Sequence, residues 1–487
     1  MEETFDAVVI GAGFGGLSAA LSLAHGGAKV ALLERLRYPG GCASTFERGG
    51  SRYESGATLF SGFAEGQLFH RWIRDHALPV KFETFDPLVE YRSEDVTFGA
   101  SPEREEFLHR ICAIDGVPEA PTRRFFKEQA KVAKALWELF DDPAMLPPFN
   151  LRNLSRHLLR SPRYLPLLRV VGLPLATVLH RHGLADVEPL KNYLDAVCQI
   201  TVQCGVDEVE APFALGAMDY YFRGTGHIHG GIGELATALA TSIDSVAGSE
   251  VHYSRAVKSI RRKDELWHID ARRGALRARH VVANLTPHAL GRLWGEETPR
   301  LTRMKAEVET GWGACMLYLR LPKSFQGRSE AHHLQLVGDT SRPLQDGNHV
   351  FCSLSGEDEH RNEEGERTVT CSTHVRMSAL RGAEDQGAFV EGIQQRMQET
   401  IALRAPELLA RTTMKGSPRT FERFTGRDFG YVGGIPRRAG LSNYRDMSND
   451  PFAKGLHMVG DSVFPGQSTL ATALGGLKVA ERILSTL

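Results

Sequence analysis

A strand, a glycine turn, a helix, a second strand and an acid follow one another in residues 5–34, and this order restricts the fold more than any other stretch. Apart from Asp6, residues 5–10 are apolar and partly β-branched, as in a strand buried in a parallel sheet. The glycine-rich turn at residues 11–16 opens a stretch with apolar residues at helical spacing, which ends at Gly26 and Gly27. The pattern predicts a βαβ unit at the start of the chain.

The glycines and the acid of this unit indicate a dinucleotide site. Gly11 permits a tight turn, Gly13 lets the backbone approach a pyrophosphate, and Gly16 lets the helix lie close to the sheet. Glu34 follows the second strand, where a carboxylate accepts hydrogen bonds from ribose hydroxyls and repels a 2′-phosphate. A glycine motif alone is weak evidence, but here the strand, the spacing, the helix and the acid agree. We therefore expect FAD or NAD, not NADP.

Composition limits the other function classes. A chain of 487 residues is too long for one compact core and suggests two or three domains. The net charge of −1 gives no global field that would attract nucleic acid. The seven cysteines are scattered without CxxC spacing, so we expect neither a disulfide framework nor a metal site.

The start of the chain and its hydropathy predict a location. Met1 is followed almost at once by the first strand, which leaves no room for a signal peptide and predicts a cytoplasmic protein. No stretch reaches the length of about 18 apolar residues that a membrane-spanning helix needs.

A second glycine turn lies directly behind Glu34. Gly40 and Gly41 can form an anion-binding nest, to which Ser44 adds a hydroxyl, although a simple surface turn has the same residues. Small residues around Thr58 and Leu59 then follow a short strand and suggest a segment that passes close to a flat ring.

The far end of the chain repeats this kind of signal. Gly460 and Asp461 follow an apolar strand and can hydrogen-bond a ribityl or phosphate group. The helix that begins near Thr469 directs its positive end at whatever lies beyond the preceding turn. Val257 can offer backbone groups to an adenine. Because both ends of the chain serve one ligand, FAD fits better than the shorter NAD.

The predicted cofactor-binding residues come from all of these segments. They are Gly11, Gly13, Phe14, Gly15, Gly16, Glu34, Arg35, Gly40, Gly41, Ser44, Thr58, Leu59, Val257, Gly460, Asp461, Gln467, Thr469 and Leu470.

His227 and His229 are the candidate catalytic residues. They stand just before the glycine turn at residues 230–231, which we expect to lie against the cofactor. A structural role, with each histidine hydrogen-bonded in a turn, remains the other interpretation. The acidic loop at residues 357–366 is predicted to be solvated.

Residues 143–185 are the least ordinary part of the chain. They contain no Asp or Glu, are rich in Leu, Val and Pro, and carry the six arginines Arg152, Arg156, Arg160, Arg163, Arg169 and Arg181. Arginines beside broken apolar helices suit a protein that lies in the headgroup layer of a membrane. The same pattern suits a helical cap with arginines on its solvated face.

Five motifs together resemble a known family. Residues 9–17, Glu34, and residues 39–41, 53–62 and 459–467 resemble the carotenoid cis-trans isomerase and bacterial phytoene desaturase group of FAD-dependent oxidoreductases, with retinol saturase as a further relative. The resemblance implies non-covalent FAD, a long apolar polyene or isoprenoid substrate, and peripheral attachment to a membrane. It therefore favours the membrane interpretation of residues 143–185. Two histidines before the 230–231 turn depart from the family pattern.

The resemblance also implies an α/β fold. We expect an FAD-binding Rossmann-like domain of the glutathione-reductase type, as in amine oxidases, with an interleaved α+β substrate domain and a helical cap. The boundaries predicted are 1–66, 224–290 and 430–487 for the FAD-binding domain, 67–142, 186–223 and 291–429 for the substrate domain, and 143–185 for the cap.

The function predicted is FAD-dependent isomerisation or desaturation of a carotenoid or similar lipid at the cytoplasmic face of a membrane. A reductase like retinol saturase and an amine or porphyrinogen oxidase on the same fold are the alternative enzymes. A non-catalytic prenyl-lipid carrier is disfavoured, because it has no use for the ribose and ribityl ligands Glu34 and Asp461. No oligomeric state is predicted.

Overall fold

The computed structural model describes residues 4–142, 161–359, 361–409 and 411–487, together with residues 155 and 159. Its strands are Thr4–Ile10, Val30–Leu33, Thr45–Arg48, Ser51–Glu54, Phe82–Glu83, Val89–Arg92, Thr97–Ala100, His227–Ile228, Glu250–His252, Val257–Lys263, Leu266–Ala271, Gly274–Ala283, Trp312–Leu321, His333–Val337, His349–Leu354, Arg367–Arg376, Arg411–Gly416 and Leu456–Met458. Its α-helices are Phe14–His25, Leu68–Asp75, Arg104–Cys112, Glu119–Phe140, Leu165–Leu168, Leu175–Arg181, Glu188–Thr201, Ala211–Met218, Gly233–Asp244, Pro287–Trp294, Pro299–Glu309, Met377–Gly382, Gln386–Arg404, Pro418–Thr425, Ser442–Asp446 and Thr469–Leu484.

The first sheet joins distant parts of the chain around the first strand. Thr4–Ile10 lies in parallel between Val30–Leu33 and Gly274–Ala283. Leu456–Met458, from near the end of the chain, pairs in parallel with Gly274–Ala283. The strand order is Val257–Lys263, Leu266–Ala271, Gly274–Ala283, Thr4–Ile10, Val30–Leu33 and Glu250–His252. Residues 7–10 of the first strand and the strand Val30–Leu33 are buried on both faces, which explains their uninterrupted apolar sequence.

Two helices from opposite ends of the chain cover this sheet in close contact. Phe14–His25 packs against Thr469–Leu484, and the Ser18 hydroxyl donates to the Ala473 carbonyl at 2.5 Å. A Cβ at Gly476 would lie 2.4 Å from the Gly15 carbonyl oxygen, so glycine is required where the helices meet. The helix N-termini consequently face the same region.

The second sheet is mixed. Its order is Arg411–Gly416, Trp312–Leu321, Arg367–Arg376, His349–Leu354, His333–Val337, Val89–Arg92 and Thr97–Ala100. All neighbours are antiparallel except His333–Val337 and Val89–Arg92. Most buried apolar residues of both sheets form one core, and Ala314, Met316 and Tyr318 form a smaller cluster with Tyr53 and Phe421.

The predicted elements of the N-terminal unit are confirmed. The first helix ends at His25, and Gly27 takes φ 89°, the conformation expected after a helix end. The domain boundaries stay a prediction. Among the residues described, no helix is both long and apolar enough to cross a membrane. Arg152, Arg156 and Arg160 lie outside the described residues.

The prediction of a solvated loop at residues 357–366 is wrong for two of its members. Glu359 and Arg361 are buried and paired with each other, Arg361 Nε donating to Glu359 Oε2 at 2.5 Å. Arg361 also donates to Glu54 at 3.0 Å, and His227 is hydrogen-bonded to Glu359. Glu359 and Arg361 can be buried because each pairs with an opposite charge. The acidic sequence of the loop does not reveal these pairs.

Candidate active site

A cavity of about 590 Å³ lies between the two sheets. Ile10 and Leu33 line it where the two central parallel strands of the first sheet end. Ala314, Met316 and Phe351 line it from the second sheet. The cavity thus occupies the carboxyl edge of a parallel sheet, where α/β proteins bind their ligands.

All but three of the predicted cofactor-binding residues line this cavity. The exceptions are Gly16, Ser44 and Leu470. A Cβ at Gly16 would lie 2.0 Å from the Gly11 carbonyl oxygen. Gly16 therefore lets the first helix pack closely against the glycine turn that precedes it. The Ser44 hydroxyl donates to the Gly41 carbonyl at 2.8 Å and fixes the second glycine turn. Leu470 is buried.

The two glycine turns lie against each other. Gly40 donates its N–H to the Ala12 carbonyl at 2.7 Å, and Gly13 bridges Gly40 as in a parallel pair. A Cβ at Gly41 would come within 3.5 Å of the Gly13 Cα atom. Gly13 directly precedes the helix Phe14–His25, whose free N–H groups favour an anion. The arrangement fits a pyrophosphate held between the turns.

Glu34 lies at the end of the second strand with its carboxylate held in place. It accepts hydrogen bonds from the backbone N–H groups of Ala12 and Leu36, each at 2.8 Å. Burial raises the pKa of the Glu34 carboxyl, and the N–H groups of Leu36 and Ala12 oppose this. Since a carboxylate has further lone pairs, ribose hydroxyls can still donate to it.

Asp461 has a cationic partner that the sequence did not reveal. Arg427 forms an ion pair with the Asp461 carboxylate, and both side chains line the cavity. Arg427 follows the helix Pro418–Thr425, which packs against the second sheet. The pair brings a guanidinium to the same cavity as the glycine turns, where a phosphate can accept from it.

The apolar side chains that line the cavity, together called its apolar half, come from two helices and the second sheet, with Thr201 and Gln203 beside them. Val197 and Ile200 of the helix Glu188–Thr201, Ala217 of the helix Ala211–Met218, and Met316 and Phe351 of the second sheet line it. Among the described residues that line the cavity, the only carboxylates are Glu34 and Asp461. This half can hold an uncharged, water-excluding ligand beside the cofactor.

His374 is the one histidine among the described lining residues, and the sequence analysis missed it. It lies on the same face of the strand Arg367–Arg376 as Ser372, which stands two residues earlier. Burial lowers the pKa of His374 to about 4, so the imidazole is neutral near pH 7. Nothing in the sequence indicated that this face of the strand lines the cavity.

His227 and His229 lie elsewhere. Neither is among the described residues that line the large cavity. His227 is buried behind Thr58 and Phe60 and pairs with Glu359, and His229 pairs with Glu83 at 3.0 Å. Their catalytic role stays a prediction.

Sequence comparisons place the chain among flavin enzymes. Residues 14–484 match the family described as flavin containing amine oxidoreductase. The prolycopene isomerase 1 of an Oncidium hybrid cultivar is 27% identical over 525 residues, covering 100% of this chain and 84% of that protein. The all-trans-retinol 13,14-reductase of Rattus norvegicus is 27% identical over 261 residues, covering 51% of this chain and 41% of that protein.

Solved structures share the fold. An oxidoreductase from Methanosarcina mazei is 19% identical, with a TM-score of 0.64 over 98% of this chain and 100% of that one. Putrescine oxidase bound to putrescine is 14% identical, with a TM-score of 0.65 over 99% of each chain. The predicted fold class is therefore confirmed. Because the family match extends over nearly its whole length, the chain belongs to the flavin containing amine oxidoreductase family and is a flavin-dependent oxidoreductase.

Proposed function

We propose that the chain binds FAD without a covalent bond and isomerises cis double bonds of a long apolar polyene. The relatives that match the whole chain are named as prolycopene isomerases, which supports this substrate class. The observation that carries the proposal is that dinucleotide-binding residues and a group of apolar residues line one cavity.

FAD is preferred over a shorter flavin because of where the lining residues lie. Glu34 and Val257, which suit an adenosine, line the same cavity as Asp461 and Gln467, which follow the last strand. A ligand that meets both groups must extend from one to the other. The glycine turns between them suit the pyrophosphate of a dinucleotide.

The residues of the chain mainly bind the cofactor and the polyene and exclude water from the cavity. When bound, a flavin supplies reversible transfer of hydride or electrons to a polyene. Val197, Ile200 and Met316 offer apolar surfaces along which a polyene can align. His374 is neutral and can accept or donate a hydrogen bond at its ring nitrogens without placing a charge in the apolar half.

The test is an anaerobic incubation of the FAD-loaded chain with a poly-cis carotene, analysed by chromatography of the isomers. We expect conversion to trans bonds when the FAD is reduced and little conversion when it is oxidised. Loss of hydrogen only in the presence of an electron acceptor would instead identify a desaturase. Addition of hydrogen across a double bond would identify a reductase.

The pH dependence of FAD binding tests the role of Glu34. Ribose hydroxyls donate to the carboxylate, so the protonated form binds FAD more weakly. Because burial raises the pKa of Glu34, FAD affinity is expected to fall as the pH drops towards this raised pKa, above the ordinary 4.5. In Glu34→Gln this step should vanish, with affinity at pH 7 about 10- to 150-fold lower. A fluorescence titration of FAD across pH would contradict the assignment if both proteins showed the same step.

We also propose that the chain attaches peripherally to an anionic membrane through the patch formed by Leu165, Leu168 and Leu441. These side chains are 58%, 72% and 66% exposed, and a Cβ at Gly172 would lie 3.5 Å from Leu441, so the segments adjoin. Exposed Arg163 lies in the turn just before Leu165. Leucines that enter the headgroup layer beside arginines that meet anionic lipid account for this combination.

Replacing both Leu165 and Leu168 by Asn is expected to weaken binding to anionic vesicles at least about tenfold, because each leucine loses up to about 1.5–3 kcal/mol of apolar transfer. Vesicle flotation measures the effect. Leu403→Asn is the matched control, since Leu403 is 61% exposed on another helix. Unchanged flotation of the double variant would contradict the attachment.

A further inference from the structure

Arg437 is a fully buried cation without a carboxylate partner among the described residues. Its side chain is 2% exposed. The guanidinium donates to the Met447 sulfur, and Nη2 lies 3.4 Å from the Asp461 carbonyl oxygen. It also lies over the ring of Phe213, 5.3 Å from the centroid. Burying an unpaired charge costs several kcal/mol, so this position requires a compensating interaction.

The guanidinium lies directly behind the wall of the cavity. A Cβ at Gly466 would come within 1.7 Å of Arg437 Nη2, so only glycine can stand there. Gly466 is followed by Gln467, Ser468 and Thr469, which line the cavity at the N-terminus of the last helix. Arg437 therefore adds its charge to the positive end of that helix.

The two nearby carboxylates have other hydrogen-bond partners than this cation. The Asp461 carboxylate is already paired with Arg427. Glu210 lies nearby, its N–H donating to the Arg437 carbonyl at 2.8 Å, but its carboxylate accepts from Gly172 and Tyr444 instead. Arg427 and Asp461 in the cavity wall thus pair with each other, and the Arg437 guanidinium behind the wall adds positive charge beside the cofactor cavity.

We propose that Arg437 is a positioning residue whose charge stabilises the negative charge that a bound flavin gains on reduction, and so raises the reduction potential of the cofactor. The proposal rests on the proposed FAD binding. A reduced flavin carries its charge at the N1 and C2 carbonyl end of the ring, and protein charge near it tunes the potential. The cation acts through the Gly466 turn without contact.

A role at the pyrophosphate is the competing interpretation. The pyrophosphate is negative in both oxidation states of the cofactor. A cation that served it would therefore change FAD affinity equally in both states and leave the potential unchanged. The reduction potential thus distinguishes the two roles. If Arg437 were purely structural, neither the potential nor the FAD affinity would depend on its charge.

The experiment compares the midpoint potentials of the FAD-loaded wild type, Arg437→Met and Arg437→Lys by dye-coupled reduction. Met removes the charge and keeps much of the volume, and Lys keeps the charge. We expect Arg437→Met to shift the equilibrium roughly tenfold towards oxidised FAD, about 30 mV for a two-electron couple. Arg437→Lys should restore most of the wild-type value.

Glu210→Gln supplies a second measurement if Arg437→Met does not retain FAD. Gln keeps an oxygen that accepts from Gly172 and Tyr444 but removes the nearby charge. Burial raises the pKa of Glu210 to about 7, so at about pH 9 the wild-type residue is charged. At that pH we expect Glu210→Gln to raise the potential, the opposite sign to Arg437→Met.

Several results would overturn the proposal. An unchanged potential in Arg437→Met, equal shifts in the Met and Lys variants, or, where Met loses FAD, an unchanged potential in Glu210→Gln would each do so. A wild-type chain that binds no FAD would overturn the proposed cofactor together with this inference. An FAD-loaded wild type with unresponsive variants would remove the inference alone.

Discussion

Replacing Gly13 by valine is expected to abolish FAD binding while the chain still folds. The backbone at Gly13, φ −74° and ψ 170°, is open to any residue, so the substitution causes no backbone strain. Its Cβ would lie 2.7 Å from the Asn284 side-chain nitrogen, which can move. The valine methyl groups, however, would enter the space between Gly13 and the second glycine turn.

The expected loss is that of about two charge-assisted hydrogen bonds to the pyrophosphate, about 3–6 kcal/mol, or at least about a hundredfold in the dissociation constant. Flavin absorbance of the purified protein and an FAD titration measure it, and circular dichroism reports folding. Gly382→Ala is the control, because a Cβ there meets nothing within 4 Å. A folded Gly13→Val variant that retains yellow flavin would contradict the assignment of the pyrophosphate site.

Replacing Arg427 by methionine is expected to affect both stability and cofactor binding. The ion pair with Asp461 is largely buried, with side-chain exposures of 18% and 13%. Removing one partner leaves the carboxylate without compensation and costs about 3–5 kcal/mol of unfolding free energy. Thermal unfolding of the apo chain measures this part. Arg342→Met, which breaks an exposed pair with Asp339, should have little effect.

The double variant with Asp461→Asn separates the two effects. Neutralising both partners removes the unpaired charge, so most of the stability should return. FAD affinity should stay low, because neither the guanidinium nor the carboxylate is then available to the cofactor. Recovery of FAD binding together with stability would show that the pair is structural only.

The N-terminal part of the site could be predicted because its chemistry is local. A strand, a tight turn and a helix N-terminus need glycines at fixed spacing, and the acid must follow the next strand. Gly11, Gly13 and Glu34 are therefore found in the cavity wall where the sequence placed them. The same holds for Asp461, which directly follows a short strand and a glycine.

Other parts of the site depend on contacts between residues far apart in sequence. Arg427 pairs with Asp461 across 34 positions, and His374 reaches the cavity only because its strand faces the first sheet. The sequence does not distinguish Arg437 from other loop arginines, because its burial depends on packing against Gly466. Burial of Glu359 likewise depends on His227, which is 132 positions away. Local patterns contain no information about such pairings.

One cavity is expected to hold FAD and a polyene together. An anaerobic titration of the oxidised, FAD-loaded chain with a poly-cis carotene, followed by flavin absorbance, tests it most directly. We expect a saturable shift of the flavin band. Ile200→Trp should weaken this shift without loss of FAD, because Ile200 lines the apolar half. Absence of any shift with the carotene, together with bleaching of the flavin by a primary amine, would contradict it.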